Sequence, residues 1–438
     1  MTDSLFDDNW LVQLASYHKL WVGFSGGLDS TVLLHALATQ PCLKNKLSAI
    51  HIHHGLSRHA DTWVKHCQRV CDGLSIPLIV ERVAFAQRSN IEEQARKARY
   101  AAFIALMGSE DGLALAHHAD DQAETLLLQI LRGAGVDGLA AMPASKPLGQ
   151  GVLVRPFLHH SRASLETWAC SHQLSWIEDE SNQEHVFSRN YLRHQVMPLL
   201  RQRWPAAVAN MARTAAHCQQ AKINLQALAE LDCTALMSPT LSISSLDQQL
   251  DYPRFVNLLR VWLTNNQVRL PSTTTLNRII NEVIFANQDA MPCVEWDDTS
   301  IRRYRDTLYL FKNNLEPWIP RLERGIQGAH QRLMWSQFPT PLQWNAHCLS
   351  ATPMDKGLYV PPGSKIEVRF RQGGELIFLR GQTKALKKLW QQWHVPPWQR
   401  DLVPLIYIDD ELAAVVGFAI SDRFYRTDLA YTYQLSYN

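Results

Sequence analysis

A short loop of glycines and hydroxyl residues could bind phosphate, and it follows an apolar run at residues 20–24. Its residues are Ser25, Gly26, Gly27, Leu28, Asp29 and Ser30. Glycines let backbone N–H groups approach an anion closely, and the helix predicted to begin here directs its positive dipole end at the same point. A carboxylate beside phosphate is repulsive unless a cation lies between them, so Asp29 predicts a Mg²⁺ ligand. The alternative is a strand end followed by an N-capped helix.

A second block with chemical potential runs from Ala116 to Met142 and contains two carboxylates, Asp121 and Glu124. Their spacing of three places both on one face of a helix. There they could bind a second metal ion or a substrate ammonium, or orient a proton acceptor. An equally good interpretation is an acidic helix start stabilised by the helix dipole. The neighbouring His117 and His118 are interpreted as structural residues.

Alternating strands and helices must position these two blocks. The pattern predicts strands at 20–24, 47–55, 77–85, 113–116 and 152–155, and helices at 30–38, 60–74, 90–107, 121–131 and 161–171. Such alternation is typical of a doubly wound parallel α/β sheet, in which ligands bind beyond the carboxyl ends of the strands. The loop and the acidic block both follow predicted strands, so we expect them at that edge.

Beyond the alternating segment the pattern changes. Residues 204–237 predict a long helix or a broken pair, 245–290 are helical in pattern, and 302–311 predict a strand. Sequence rich in proline and tryptophan then leads to a unit with strands at 365–370, 375–379, 405–408 and 412–417 and a basic helix at 384–393. We therefore predict a catalytic domain over 1–215, a mainly helical domain over 216–330 and a small α+β domain over 358–438.

Composition limits the class of protein. The 438 residues are enough for two or three domains at about 150 residues each. With 46% hydrophobic and 19% charged residues, the chain is predicted to be a folded soluble protein. A net charge of +2 means that any nucleic-acid binding must use local patches. Eight scattered cysteines without a CxxC pair, no signal peptide and no long apolar run predict a cytoplasmic protein with reduced thiols and no membrane segment.

The SGGLDS loop resembles the PP-loop of the N-type ATP pyrophosphatases, which cleave ATP between the α and β phosphates. Together with HIHHGL after the second strand, NIEEQARKARY, the AHHADDQAETLLLQILRGAGVDGLAAM block and the segment from Arg155 to Leu200, it resembles the tRNA(Ile)-lysidine synthetase family. The C-terminal sequence KALKKLWQQWHVPPWQRDLVPL is similar to that family's last domain. The resemblance covers most of residues 15–215 and the C-terminal unit.

That family ligates L-lysine to carbon 2 of the wobble cytidine in the isoleucine tRNA with a CAU anticodon, so that the tRNA reads AUA and carries isoleucine. The cytidine is first adenylated by ATP, and the lysine ε-amine then displaces AMP. The resemblance implies ATP phosphates on Ser25–Ser30 with Mg²⁺ near Asp29. It implies Asp121 as a candidate base and Glu124 as a partner of the lysine ammonium or of a metal. His51 and His54 follow the second strand, where related proteins hold adenine; a pair of structural histidines fits almost as well.

Two groups of basic residues are candidate tRNA contacts. The first comprises Arg96, Arg99, Arg189 and Arg193, for which a solvated helix face is the alternative. The second is the C-terminal segment, where Lys384, Lys387 and Lys388 belong to seven basic residues facing two acids between 365 and 388. Aromatic residues among them, including Trp390, Trp393 and Trp398, predict a backbone-tracking surface with stacking positions, for which a solvated helix face with ordinary core aromatics is the alternative.

Three alternative functions are considered. A tRNA thiolase would need catalytic cysteines near the strand ends, and the cysteines are elsewhere. A glutamine-dependent amide synthetase would need a glutaminase domain that the chain has no room for. A catalytically silent tRNA-binding protein is disfavoured by the intact SGGLDS loop and its partner carboxylates. A homodimer is left open.

Overall fold

The computed structural model describes residues 4–55, 59–83, 91–178, 188–244, 251–287, 290–312, 332–344, 347–427 and 431–437. The chain divides into two compact units, Met1–Leu228 and Ala229–Asn438. The proline-rich sequence at 316–320 and the start of the predicted helical segment, 245–250, lie outside the described residues.

The first unit contains a six-stranded sheet in the order β3-β2-β1-β4-β6-β5. Its strands are β1 (Leu20–Gly23), β2 (Leu47–His53), β3 (Leu78–Arg82), β4 (Gly112–Ala114), β5 (Ser145–Leu148) and β6 (Gly151–Val154). All neighbours pair in parallel except β5, which forms an antiparallel hairpin with β6. The predicted parallel sheet is confirmed. The edge strand β5 was not predicted, because its sequence, Ser-Lys-Pro-Leu, is mostly polar and contains proline.

Helices cover both faces of this sheet. They are α1 (Asp8–Ser16), α2 (Leu28–Ala38), α3 (Ala60–Leu74), α4 (Ile91–Leu106), α5 (Ala119–Leu131), α6 (Val136–Leu139) and α7 (Arg162–Ser171). Leu20 and Val22 pack into a core with α2, α3 and α7, whereas Trp21 packs on the opposite face with Phe103 of α4. Successive side chains of β1 are therefore buried on opposite faces, as expected for a central parallel strand. The doubly wound fold is confirmed.

A long helical stretch completes the first unit and enters the second. It consists of α8 (Ser188–Tyr191), a π-helical turn over Leu192–Val196, α9 (Met197–Arg203) and α10 (Ala207–Asp232). Residues 204–237 thus contain one 26-residue helix rather than a broken pair.

The middle of the chain combines helices with a small sheet. Its elements are β7 (Thr240–Ser242), α11 (Tyr252–Asn265), α12 (Thr273–Arg278), a π-helix over Ile279–Ile284, β8 (Cys293–Trp296), β9 (Thr299–Tyr304) and β10 (Thr307–Lys312). The strand order is β7-β10-β9-β8. The single strand predicted at 302–311 is an antiparallel hairpin that turns at Arg305, whose φ is 54°. We call this four-stranded sheet the middle sheet.

The C-terminal lobe, residues 332–437, is built mainly of antiparallel strands. These are β11 (Leu333–Met334), β12 (Leu342–Trp344), β13 (His347–Tyr359), β14 (Ile366–Arg369), β15 (Leu376–Leu379), β16 (Gln382–Ala385), β17 (Leu405–Ile408), β18 (Glu411–Val415), β19 (Ala419–Ile420), β20 (Tyr425–Thr427) and β21 (Thr432–Tyr437). Two short helices, α13 (Leu386–Gln392) and α14 (Pro397–Arg400), lie between β16 and β17. The basic helix is therefore shorter than predicted, and Lys384 lies on β16 instead. Strands β11 to β13 occupy sequence for which no strand was predicted.

No helix among the described residues is both long and apolar enough to cross a membrane.

Candidate active site

The glycine-rich loop connects β1 to α2 and is held by its own hydroxyl groups. The Ser30 hydroxyl lies 3.0 Å from the Ser25 hydroxyl and donates to the Gly27 carbonyl at 3.1 Å. Gly26 has a φ of 85°, and a Cβ there would lie 2.9 Å from both Cys67 Sγ and Ile177 Cδ1, so only glycine fits. Gly27 caps α2 without a side-chain hydrogen bond. The loop thus ends at an open helix N-terminus, which favours an anion.

Asp29, in the first turn of α2, has one oxygen without a hydrogen-bond partner in the described part of the chain. Its Oδ2 atom lies 3.5 Å from His118 Nε2. Its Oδ1 atom is buried, and among the described residues it has no hydrogen-bond partner. A buried carboxylate oxygen without a donor is costly unless a cation reaches it. This donor fits Mg²⁺, which takes one or two carboxylates together with substrate phosphates. In the described part of the chain, no group of three or more His, Cys, Asp or Glu side chains could by itself hold a metal.

His118 connects the ends of β1 and β4, which are neighbours in the sheet. It is the N-cap residue of α5, and its backbone N–H donates to Asp121 Oδ2 at 3.1 Å. Its ring Nε2 lies 3.5 Å from Asp121 Oδ2 and 3.5 Å from Asp29 Oδ2. Burial acts to lower the pKa of His118, but Asp29, Asp121 and Asp120 outweigh it and raise the pKa. His118 thus joins the two predicted blocks.

The two predicted carboxylates of α5 face two arginines. Arg189 Nε donates to Glu124 Oε2 at 2.9 Å, and its Nη2 donates to Asp121 Oδ1 at 3.1 Å. Arg193 Nε donates to Glu124 Oε1 at 2.6 Å, and its Nη2 donates to Asp121 Oδ1 at 3.0 Å. Only 2% of the Glu124 side chain is exposed. Asp121 and Glu124 therefore lie inside the protein, which excludes the solvated helix start that was the alternative to a site.

The charges around Asp121 fix its protonation state. Burial alone would raise its pKa, but His118, Arg189, His117 and Arg193 lower the pKa of Asp121 to about 2. Burial lowers the pKa of the adjacent His117 to about 3, against the opposing charge of Asp121. Asp121 is thus a carboxylate and His117 a neutral imidazole throughout the neutral range. A permanently ionised carboxylate is suited to holding a cation and is a weak proton acceptor.

Asp120 anchors the start of α5 and was not selected from the sequence. Its Oδ2 atom accepts from the backbone N–H of Arg162 at 2.8 Å, and its Oδ1 atom pairs with Arg201 of α9. Arg201 lies far along the chain from Asp120, so no local periodicity could have indicated the pair. The contact fixes α9, and with it the helical stretch that carries Arg189 and Arg193, against α5.

The two histidines at the end of β2 have different surroundings. His51 is 5% exposed, and its Nδ1 atom lies 2.9 Å from the Phe24 carbonyl, next to the glycine-rich loop. Burial lowers the pKa of His51, with an opposing contribution from that hydrogen bond. Burial and the nearby Arg99 lower the pKa of His54 to about 4. Both rings are therefore neutral near the loop.

Arg99 and Arg96 are both exposed on α4, yet each contacts a ring of the protein. Arg99 Nη2 lies 3.4 Å from His54 Nε2. The Arg96 guanidinium lies 5.5 Å from the centre of the Tyr100 ring. The structure thus separates the four arginines proposed for tRNA: Arg99 lies at the β2 end of the sheet, Arg96 lies beside Tyr100, and Arg189 and Arg193 are bound to the α5 carboxylates.

The basic C-terminal segment divides into paired and unpaired side chains. Glu367 contacts Lys365 and Arg369, and Arg371 lies 2.9 Å from Asp401. Within the described chain, Lys384, Lys387 and Lys388 have no carboxylate at ion-pair distance; Lys387 and Lys388 are exposed on α13, and Lys384 is half-buried.

Most aromatic residues of this segment pack in or against the hydrophobic core. Trp390 is fully buried, so its predicted role as a stacking position for bases is wrong. Trp393 stacks on Phe418 with ring centres 5.3 Å apart. The physical reason is the short helix α13, whose apolar face must cover the adjacent strands with these rings. In the described part of this segment, α13 therefore exposes lysines while Trp390 and Trp393 pack against the protein.

Comparisons with known proteins agree along the whole chain. A PP-loop domain model matches residues 4–200, a model described as the TilS substrate binding domain matches 241–309, and one described as the TilS substrate C-terminal domain matches 366–436. The tRNA(Ile)-lysidine synthase of Legionella pneumophila (strain Paris) is 50% identical over 98% of this chain and 97% of its own length. That of Coxiella burnetii is 42% identical over 95% and 92%, and that of Salmonella typhimurium is 40% identical over 93% and 94%.

Proposed function

The chain belongs to the tRNA(Ile)-lysidine synthase family, and from this premise we propose that it joins L-lysine to carbon 2 of the wobble cytidine in the isoleucine tRNA with a CAU anticodon. It is an ATP-dependent ligase that modifies tRNA. The proposed product reads AUA instead of AUG and is charged with isoleucine instead of methionine. We place this reaction in the cytoplasm, because ATP and tRNA are both available there.

One observation carries the proposal: the loop that could bind ATP and the acidic cluster that could bind an amine lie side by side. His118 Nε2 is 3.5 Å from Asp29 and 3.5 Å from Asp121. A phosphate site and a cation site at adjacent strand ends are what an adenylation followed by an amine attack requires. The arrangement brings the two reactants to one centre, so that positioning lowers the barrier.

In the first proposed step, the cytidine carbonyl oxygen at carbon 2 attacks the α-phosphorus of ATP, and pyrophosphate leaves. Ser25 to Ser30 bind the phosphates through hydroxyl and backbone N–H groups, and His51 and His54 lie on the adenine side. Asp29 would hold Mg²⁺, which neutralises phosphate charge when bound. The carbonyl oxygen by itself is a poor leaving group. Once it is bonded to the α-phosphorus, it can leave carbon 2 as part of AMP, which is a good leaving group.

In the second proposed step, the lysine ε-amine attacks carbon 2 and AMP leaves with the oxygen. The ε-ammonium must first lose a proton, because only the free amine is a nucleophile. That proton passes to solvent water, because the low pKa of Asp121 makes this carboxylate a weak acceptor and favours its role in holding the ammonium. Glu124 provides a second carboxylate on the same face of α5, and Arg189 and Arg193 keep both oriented.

The cysteines support a ligase over a thiolase. Cys67 and Cys71 are the buried cysteines of α3. Burial raises the pKa of both thiols to about 12. A thiol with such a pKa supplies almost no thiolate at neutral pH and is inert as a sulfur carrier.

The experiment combines the protein with ATP, Mg²⁺, radiolabelled L-lysine and an unmodified isoleucine tRNA transcript with a CAU anticodon. A matched transcript has U as its first anticodon base. We expect label only in the CAU transcript, with AMP and pyrophosphate in equal amounts. Absence of label from both transcripts, with ATP still bound, would refute lysine as the nucleophile. Equal labelling of both would refute the wobble cytidine as the target.

A further inference from the structure

The outer face of the β9–β10 hairpin is aromatic. Side chains alternate along the hairpin, so that Ile301 and Leu308 point into the helical core of the middle region and are fully buried. Tyr304, Tyr309 and Phe311 belong to the other face. Three aromatic rings on one face present a large apolar area. Packing another side chain against them removes that area from water and stabilises the fold.

Trp398 of α14 supplies that cover. Its ring centre lies 6.2 Å from Tyr304, 5.3 Å from Tyr309 and 5.9 Å from Phe311, with interplanar angles of 78°, 79° and 89°. All three are edge-to-face contacts, the geometry that aromatic quadrupoles favour. The Arg302 guanidinium lies 5.8 Å from the Trp398 ring centre. Trp398 therefore links the C-terminal lobe to the middle sheet through three aromatic contacts.

Polar contacts surround this ring. At the hairpin turn, Arg305 Nη2 donates to the Gln391 carbonyl at 2.9 Å, and Nη1 lies 3.0 Å from His394 Nε2. Arg400 Nη2 donates to the Tyr304 hydroxyl at 3.2 Å. Gln391 belongs to α13, the helix that exposes Lys387 and Lys388. The hairpin thus holds the basic helix directly as well as through Trp398.

We propose that Trp398 is a positioning residue for tRNA binding: by fixing the C-terminal lobe to the β9–β10 hairpin, it holds Lys387 and Lys388 where they reach the tRNA backbone. This inference rests on the proposed function, since it requires that the chain binds tRNA. Without the link, the two lysines keep their charge and exposure but lose a fixed position. Their contribution to affinity then falls, because each phosphate contact has to be ordered during binding.

The test is a double-mutant cycle read out as tRNA affinity over a salt series. Trp398→Ala is expected to weaken tRNA binding about tenfold and to lower the salt slope by about two, one for each lysine contact. Lys387→Ala with Lys388→Ala should do the same, and the triple variant should be no worse than either. ATP affinity should stay at the wild-type value in all variants.

Matched variants separate positioning from stability. Trp344→Ala removes a ring that stacks on Tyr437 in the other core cluster of the C-terminal lobe, away from α13, and it should leave the salt slope unchanged. Trp398→Phe should restore most of the binding, because it keeps an aromatic ring against the hairpin, and the indole N–H that it removes has no partner among the described residues. Arg305→Gln, which tests the polar contacts without removing the ring, should weaken binding in the same direction by a smaller factor.

The outcomes distinguish this inference from the function on which it rests. If the wild-type protein binds no tRNA, the proposed function fails and the inference fails with it. If the wild type binds and the lysine variant weakens binding, but Trp398→Ala is neutral or strictly additive with the lysines, the inference alone is overturned.

Discussion

The acidic start of α5 and the basic helix α13 differ in whether their charged side chains are buried and paired. At α5, Asp121 and Glu124 are buried and bound by Arg189 and Arg193, so that opposite charges balance inside the protein. On α13, Lys387 and Lys388 face solvent, and no carboxylate of the described residues lies at ion-pair distance. Balanced buried charges fix geometry, whereas unbalanced exposed charges attract a partner. The difference predicts that changes at α5 affect folding and chemistry, and changes at α13 affect binding.

Asp29 lies next to the balanced cluster but keeps one buried oxygen to which no described residue donates. We expect Asp29→Ala to reduce adenylation, measured as pyrophosphate release, by at least about 100-fold, because phosphate charge is no longer neutralised. The affinity for tRNA should change by less than about twofold. Asp72→Ala, at an exposed position of α3, is the matched control and should retain full activity. Undiminished turnover by Asp29→Ala would remove Asp29 from the mechanism.

Glu124→Gln tests whether the α5 cluster is a balanced unit. It leaves Arg189 and Arg193 with one full negative charge instead of two, and we expect a loss of about 3 kcal/mol in the free energy of unfolding. Adding Arg193→Met should recover part of that loss, because an unpaired guanidinium is removed. Urea unfolding of the single and double variants measures both effects. Glu166→Gln, at an exposed position of α7, should be neutral; strict additivity would show that the cluster is not a unit.

The low pKa of Asp121 predicts how this cluster responds to acid. Its folded pKa of about 2 is below the ordinary value of about 3.9, so the proton binds the unfolded chain more tightly. Asp121 thus stabilises the fold above about pH 4, and that stabilisation, about 2 kcal/mol, is lost as the pH falls from about 4 to about 2. Asp121→Asn should have a flatter dependence of unfolding free energy on pH over this window. Identical slopes for variant and wild type would contradict the assignment.

The lysines of the C-terminal basic segment should have the smallest effect on the free energy of unfolding. Lys384→Ala, Lys387→Ala and Lys388→Ala together should change the free energy of unfolding by less than about 0.5 kcal/mol. The same variant should weaken tRNA binding and lower its salt slope by up to about three. Lys365→Ala is the control, because Lys365 already has Glu367 as a partner. An unchanged slope in the triple variant would make α13 an ordinary solvated helix.

The sequence predicted the parts of the molecule that depend on local pattern. The SGGLDS loop, the strands that precede it and follow it, and the position of Asp121 and Glu124 on one face of α5 all follow from short-range spacing. Parallel strands buried on both faces have strong apolar runs, so their positions along the chain could be predicted.

The contacts between distant residues were not predictable in this way. Arg189 and Arg193 are predicted tRNA contacts, and their ion pairs with Asp121 and Glu124 have no sign in the local sequence, because an arginine-bearing helix does not show where in the chain an acidic partner lies. Asp120 and Arg201 were missed for the same reason. The strands β11 to β13 were missed because proline and polar residues interrupt them, and their stability comes from pairing with later strands.

The pairing of β13 with β21 also affects the order of folding. The strands of the β9–β10 hairpin are adjacent in sequence, whereas β13 pairs with a strand at residues 432–437, far along the chain. Contacts between residues far apart in sequence form slowly, so we expect the hairpin to form well before the C-terminal lobe closes. Before Trp398 packs against the hairpin, its outer aromatic face is uncovered; this face comprises Tyr304, Tyr309 and Phe311. Such an exposed apolar surface favours non-native association until the C-terminal lobe has folded over it.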